Sequence, residues 1–110
     1  MMIEAVLGST SAERVLAFIT ARDSAYAGEI ANTFDTSISP IQKQLDRMER
    51  DGLLINEKVG RTRVYQYNPR YPFVPEVRAM MEKVLEHYRE EMKEQLLYNR
   101  RRPRKKDKLL

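Results

Sequence analysis

Between Ser37 and Arg63 the chain gathers side chains suited to an edge of hydrogen-bonding groups flanked by negative charge. Ile41, Leu45 and Met48 fall at helical spacing. If that stripe faces inward, at about 100° per residue, the opposite face carries Ser39, Lys43, Asp46 and Arg50. Gln42 lies on one flank, and Pro40 and Arg47 on the other. These groups match the edge of a DNA duplex. Gln42 can contact adenine bidentately, Lys43 can donate to guanine O6 and N7 or to phosphate, and Ser39 can do either. Pro40 offers an apolar surface to a thymine methyl, and Arg47 is placed for the sugar-phosphate backbone. Asp46 repels phosphate unless it accepts from cytosine N4 or pairs with Arg50 four residues on. Further along, Gly60 permits a tight turn, beside which Arg61, Thr62 and Arg63 follow in series; the two arginines can reach phosphates or a narrow minor groove.

Other chemistries find little support. The chain of 110 residues has no cysteine and one histidine, His87, so a disulfide framework, a thiolate metal site, a cysteine nucleophile and a conventional triad are not expected. His87 and Glu91 are spaced as two metal ligands on one helix face would be, but a solvated pair on a charged helix is the expectation, with no metal and no cofactor. Paired carboxylates in a pocket-forming context, a phosphate-cradling loop and a nucleophile–base set are all missing, so an enzyme is not expected. RNA binding lacks its usual exposed stacking aromatics, since Tyr65 and Tyr67 read as wing and core residues. No apolar run approaches the length of a membrane span, and Met-Met-Ile-Glu-Ala-Val-Leu-Gly-Ser is not a secretory signal; a cytoplasmic location without membrane contact is expected.

Several short elements must position these groups. Thr10-Ser-Ala-Glu13 has the form of a capping box, predicting a helix from Ser11 to about Arg22 with Val15, Leu16, Phe18 and Ile19 on or beside its buried stripe. Ala27, Ile30, Ala31 and Phe34 predict a second, short helix. Ser37 is placed to cap the third, Pro40 is tolerated in its first turn, and Gly52 terminates it. Leu53–Val59 and Arg63–Tyr67 read as strands joined by a turn at Val59–Thr62, with Tyr65 and Tyr67 on one face. Pro69, Pro72 and Pro75 mark an extended connector. Val77, Met80, Met81, Val84, Leu85, Tyr88, Met92 and Leu96 predict one long amphipathic helix over residues 75–100, about 37 Å long.

The fold class predicted is mainly helical with a β-hairpin wing: a winged helix-turn-helix over residues 1–70, a dimerisation helix over 75–100, and a basic, disordered tail over 101–110. Charge agrees with that division. The net +4 and the pI near 9.5 report residues 100–110, which carry +6, whereas residues 1–75 are neutral and 76–99 carry −2. A body without net charge must meet an acidic partner through a local patch.

The segments GEIANTFDTSISPIQKQLDRMERDGLL and VGRTRVYQYNP resemble the ArsR-like winged helix-turn-helix transcriptional regulators. Ser37, Ser39, Ile41, Leu45, Gly52, Leu53, Gly60, Arg61, Tyr65, Asn68 and Pro69 carry the resemblance, which spans about residues 10–70. It implies binding to double-stranded DNA. It does not imply metal sensing, because the cysteines that many members use are missing here and the one histidine, His87, is expected to face solvent; Pro40 stands where a hydroxyl residue is common.

The reading that follows is a homodimeric, sequence-specific regulator of transcription, a repressor blocking promoter access. Its DNA-binding residues would be Ser37, Ser39, Pro40, Gln42, Lys43, Arg47, Arg61, Thr62 and Arg63. Its dimer interface would use Met81, Leu85, Tyr88, Met92 and Leu96. The alternative is a protein-interaction module that docks through the long helix and binds no specific DNA.

Overall fold

Four helices, the first a single turn, lead into a hairpin and a returning helix, seen in a computed structural model that describes residues 2–88. The short helix α1, Glu4–Leu7, is followed by α2 (Thr10–Arg22), α3 (Ala27–Thr33) and α4 (Ile38–Arg50). Strands β1 (Leu54–Val59) and β2 (Thr62–Tyr67) form an antiparallel pair, and α5 (Val74–His87) closes the fold. The winged helix-turn-helix class read from the sequence is the fold observed.

α2 is the axle of the core. Val15, Leu16, Phe18 and Ile19 are fully or almost fully buried, and they share the core with Ile30 of α3, Ile41 and Leu45 of α4, Leu54 and Tyr65 of the hairpin, and Met81 of α5. Each such side chain contributes about 1.5–3 kcal/mol of burial. The start of α2 differs from the capping box expected. Ser9, in extended conformation, is the N-cap and accepts from the Ala12 amide at 3.0 Å; Thr10 is already helical, and its hydroxyl donates to Glu4 at 2.6 Å. The Glu13 side chain does not reach back to the cap of α2.

Glu13 is instead fully buried and ties together distant parts of the chain. Its Oε1 accepts from the Ile3 amide at 2.8 Å, and its Oε2 accepts from the Met2 amide at 3.0 Å and the Tyr88 hydroxyl at 2.9 Å. Tyr88 is thereby drawn onto α2, and its backbone is extended (ψ 151°), so α5 ends at His87. This corrects the unbroken helix expected over residues 75–100: its first part has 14 residues, about 21 Å. Periodicity marks the buried face correctly, but it cannot reveal a hydroxyl held by a carboxylate 75 positions away. Residues 89–110, including Met92, Leu96 and the basic tail, lie outside the described residues.

Burial holds the Tyr88 phenol well above its ordinary value, assisted by the hydrogen bond to Glu13 and that carboxylate's charge, with Arg14 opposing. An acid raised on folding favours the fold fully below its unfolded value, about 10, and loses that contribution as pH rises from there. Stability is therefore expected to fall above about pH 10, and Tyr88→Phe should flatten that alkaline limb. Thermal melts of the two proteins between about pH 8 and 11 check this; identical limbs would contradict it.

Local turn chemistry sets the wing. Gly60, at φ 65°, and Arg61 form a two-residue loop closed by the Val59–Thr62 pair, a turn that needs a left-handed residue. A feature absent from the sequence reading anchors the hairpin: Ala25, between α2 and α3, exchanges backbone hydrogen bonds with Tyr65 at 3.0 and 2.7 Å. The connector after Asn68 is a series of turns rather than an extended run. The Asn68 side chain holds it, donating to the Gly52 carbonyl and accepting from the Arg70 amide.

Candidate nucleic-acid interface

α3 and α4 meet at a tight turn, Phe34–Ser37, in which Asp35 adopts φ 54° and the Thr36 amide donates to the Ala31 carbonyl at 2.9 Å. Ser37 stands at the N-cap position of α4 in extended conformation, but its hydroxyl makes no capping bond. Ile41, Leu45 and Met48 are buried beneath α4. Ser39, Lys43, Asp46 and Arg50 are exposed on the opposite face, as the 100° rule required.

The side chains expected to face DNA are not all equally free. Lys43 is exposed, Pro40 is half-buried in the first turn, and Arg47 is half-buried with its Nε donating to Gln44 Oε1 at 2.9 Å. Gln42 is half-buried, and its Nε2 donates both to Asp46 Oδ1 at 2.9 Å and to the Tyr65 hydroxyl at 3.1 Å. Asp46 is thus held by Gln42, four residues before it, in place of the contact with Arg50 considered from the sequence.

Arg61, Thr62 and Arg63 are exposed at the wing tip. They share a cleft of about 320 Å³ with Gln42 of α4 and with Tyr26, Ala27 and Gly28 at the start of α3. Tyr26, 44% exposed, escaped the sequence reading. Its only available signal was an aromatic residue just ahead of the short helix. The Tyr65 hydroxyl escaped too: Tyr65 was read as a wing and core residue, and it is both, fully buried yet bonded through its one polar side-chain atom to α4.

Three of the expected dimer residues are among the described ones. Met81 and Tyr88 are buried in the core of their own chain, and Leu85 is half-buried against it. Among the described residues, Met2 and Val6 of the N-terminal segment are exposed apolar side chains, the latter 69% exposed, and Ile3 and Met80 are half-buried. Met2, Ile3, Met80, Lys83, Val84 and His87 line a groove of about 350 Å³ between the N-terminal segment and α5. Among the described residues, no helix is long and apolar enough to cross a membrane.

A helix-turn-helix with an adjoining two-stranded wing defines the fold as a winged helix-turn-helix. Solved proteins share it. Reduced HlyU from Vibrio cholerae is 22% identical and matches with a TM-score of 0.59 over 78% of this chain and 84% of that one. A double mutant of Lactococcus lactis ZitR in its apo form is 16% identical, with a TM-score of 0.53 over 84% of this chain and 79% of that one. No protein-family model and no curated protein matches the sequence. The likeness is therefore one of fold, and it agrees with the winged helix-turn-helix resemblance read from the sequence.

Proposed function

We propose that this protein binds double-stranded DNA sequence-specifically as a homodimer and regulates transcription, acting as a repressor by occluding promoters. The observation that carries the reading is the joint exposure of Ser39 and Lys43 on α4 and Arg61, Thr62 and Arg63 on the wing, with Gln42 and the wing tip lining one cleft. An uncovered helix face carrying short polar and cationic groups fits a major groove, and a cationic wing tip beside it fits the flanking backbone. Ser37, Pro40 and Arg47 belong to the same surface. The fold shared with HlyU and ZitR supports the reading.

The second copy is proposed to meet the first at the groove between the N-terminal segment and α5, where Met2 and Met80 offer apolar surface and Val6 is exposed nearby in the sequence. Leu85 remains a candidate at its margin. Pairing would double the contacts available to a body without net charge and set two half-sites about 10–10.5 base pairs apart.

Selection from random duplexes with the purified protein tests the function. A two-fold symmetric consensus is the expected result, and indifference to duplex DNA would favour the protein-docking alternative. Lys43→Ala should then cost about 1–3 kcal/mol at the consensus and much less on random DNA. Equal weakening on both would make Lys43 a backbone contact.

A further inference from the structure

Gln42 is the one side chain shared by the exposed helix, the wing and the cleft between them, and its hydrogen bonds restrict what it can read. Asp46 at neutral pH only accepts, so the atom of Gln42 facing it, 2.9 Å away, is the amide nitrogen. That nitrogen has two hydrogens. One goes to Asp46 and the other to the Tyr65 hydroxyl at 3.1 Å. Tyr65 is fully buried and fixed through its backbone to Ala25, so its hydroxyl is a rigid stop rather than a passing neighbour. What remains for a ligand is the amide oxygen, an acceptor, next to a carboxylate that also only accepts.

A free glutamine reads adenine with two bonds, donating to N7 and accepting from the N6 amino group. With both hydrogens engaged, the first bond is closed. In the major groove only adenine N6 and cytosine N4 can donate to an acceptor, whereas guanine and thymine edges show acceptors there. We propose that Tyr65 and Asp46 hold Gln42 as an acceptor-only reader that selects, at one position of each half-site, a base presenting its amino group in the major groove, adenine or cytosine. Tyr65 is a positioning residue in this scheme, joining the wing to the base choice of α4. Asp46, otherwise a repulsive group beside phosphate, acquires a role. The inference rests on the DNA-binding reading above.

The test uses the full chain and its selected duplex. Gln42→Ala locates the position, as the one whose base preference flattens. At that position the unaltered protein should bind adenine and cytosine within about threefold of each other, and both about tenfold over guanine and thymine. Asp46→Ala and Tyr65→Phe each release one hydrogen, so adenine should gain at least about fivefold over cytosine. Replacing that adenine by 7-deazaadenine, which lacks N7, should leave the unaltered protein indifferent and cancel the gain in the variants. Asp46 is exposed, so Asp46→Ala keeps the test alive if Tyr65→Phe fails to fold. A preference for guanine or thymine, an unchanged adenine-to-cytosine ratio in the folded variants, or no position that responds to Gln42→Ala would each overturn the inference while leaving specific DNA binding in place. Failure to bind any duplex would overturn both.

Discussion

Replacing Glu13 with Ala is expected to destabilise the fold by about 3 kcal/mol, lowering the melting midpoint by more than about 10 °C. The carboxylate lies in a site without solvent and accepts from the Met2 and Ile3 amides and the Tyr88 hydroxyl. Alanine leaves those donors unmatched and opens a void where the side chain packed. Removing both partners of an intramolecular hydrogen bond is nearly neutral; leaving a buried donor alone is not. Glu13→Gln keeps one acceptor oxygen and should fall between the two proteins. Tyr88→Phe, which removes a single donor together with its need for a partner, should cost less than Glu13→Ala. The order of melting midpoints, with Glu13→Ala lowest, checks the whole set. A Glu13→Ala protein that melts with the original would mean that the N-terminal segment and the end of α5 contribute nothing to the fold through this carboxylate.

Glu13 also shows where sequence reasoning reached its limit. Thr10-Ser-Ala-Glu13 has the form of a local capping motif, and the helix it announced is present within one residue at its start. The motif's partners are different because Gly8, at φ 97°, ends α1 and hands the cap to Ser9, leaving Glu13 one turn in and facing the core. α1 itself, four residues without a repeating stripe, offered no periodic signal. The elements governed by local rules were legible. The stripe Ile41, Leu45, Met48 fixed which face of α4 is buried, and Gly60 fixed the hairpin turn and with it the register from Leu54–Tyr67 to Val59–Thr62.

The candidate site was legible in the same measure. Exposure of Ser39, Lys43, Asp46 and Arg50 follows from helical geometry alone. The Gln42–Asp46 bond is an ordinary contact between residues four apart, within reach of a spacing argument. The Tyr65 hydroxyl reaches Gln42 across 23 residues, and Ala25 bridges to Tyr65 from the other side of α3 and α4; both depend on how the hairpin folds back over those helices, which no local pattern encodes. Termination of α5 at Tyr88 belongs to the same class. It bears on the proposed pairing as well, since Met81 and Tyr88 are buried within their own chain and present little surface to a second copy.

The wing supplies the largest expected effect on DNA binding. In the observed register Lys58 stands directly opposite Arg63, and both are exposed. Like charges across a strand pair weaken the hairpin. Arg61 adds a further positive charge at the turn. An anionic partner offsets that repulsion, and a phosphate backbone running past the wing would do so. Arg61→Ala combined with Arg63→Ala should therefore separate stability from binding. The melting midpoint should stay level or rise slightly, because a repulsion is relieved and neither side chain is buried. Affinity for duplex DNA should fall on the order of 100-fold at physiological salt, and alike on the selected and random sequences, because a phosphate contact carries no base information. The plot of log affinity against log salt should flatten by about 1.8 per protomer, about 0.9 for each phosphate that the protein no longer neutralises, and by twice that in a dimer. Titrations of both proteins from about 50 to 200 mM salt, paired with thermal melts, give the two readouts together. An unchanged salt slope would remove the wing from the backbone contacts. A loss confined to the selected sequence would instead place Arg61 or Arg63 in a groove, reading base edges or the width of the minor groove.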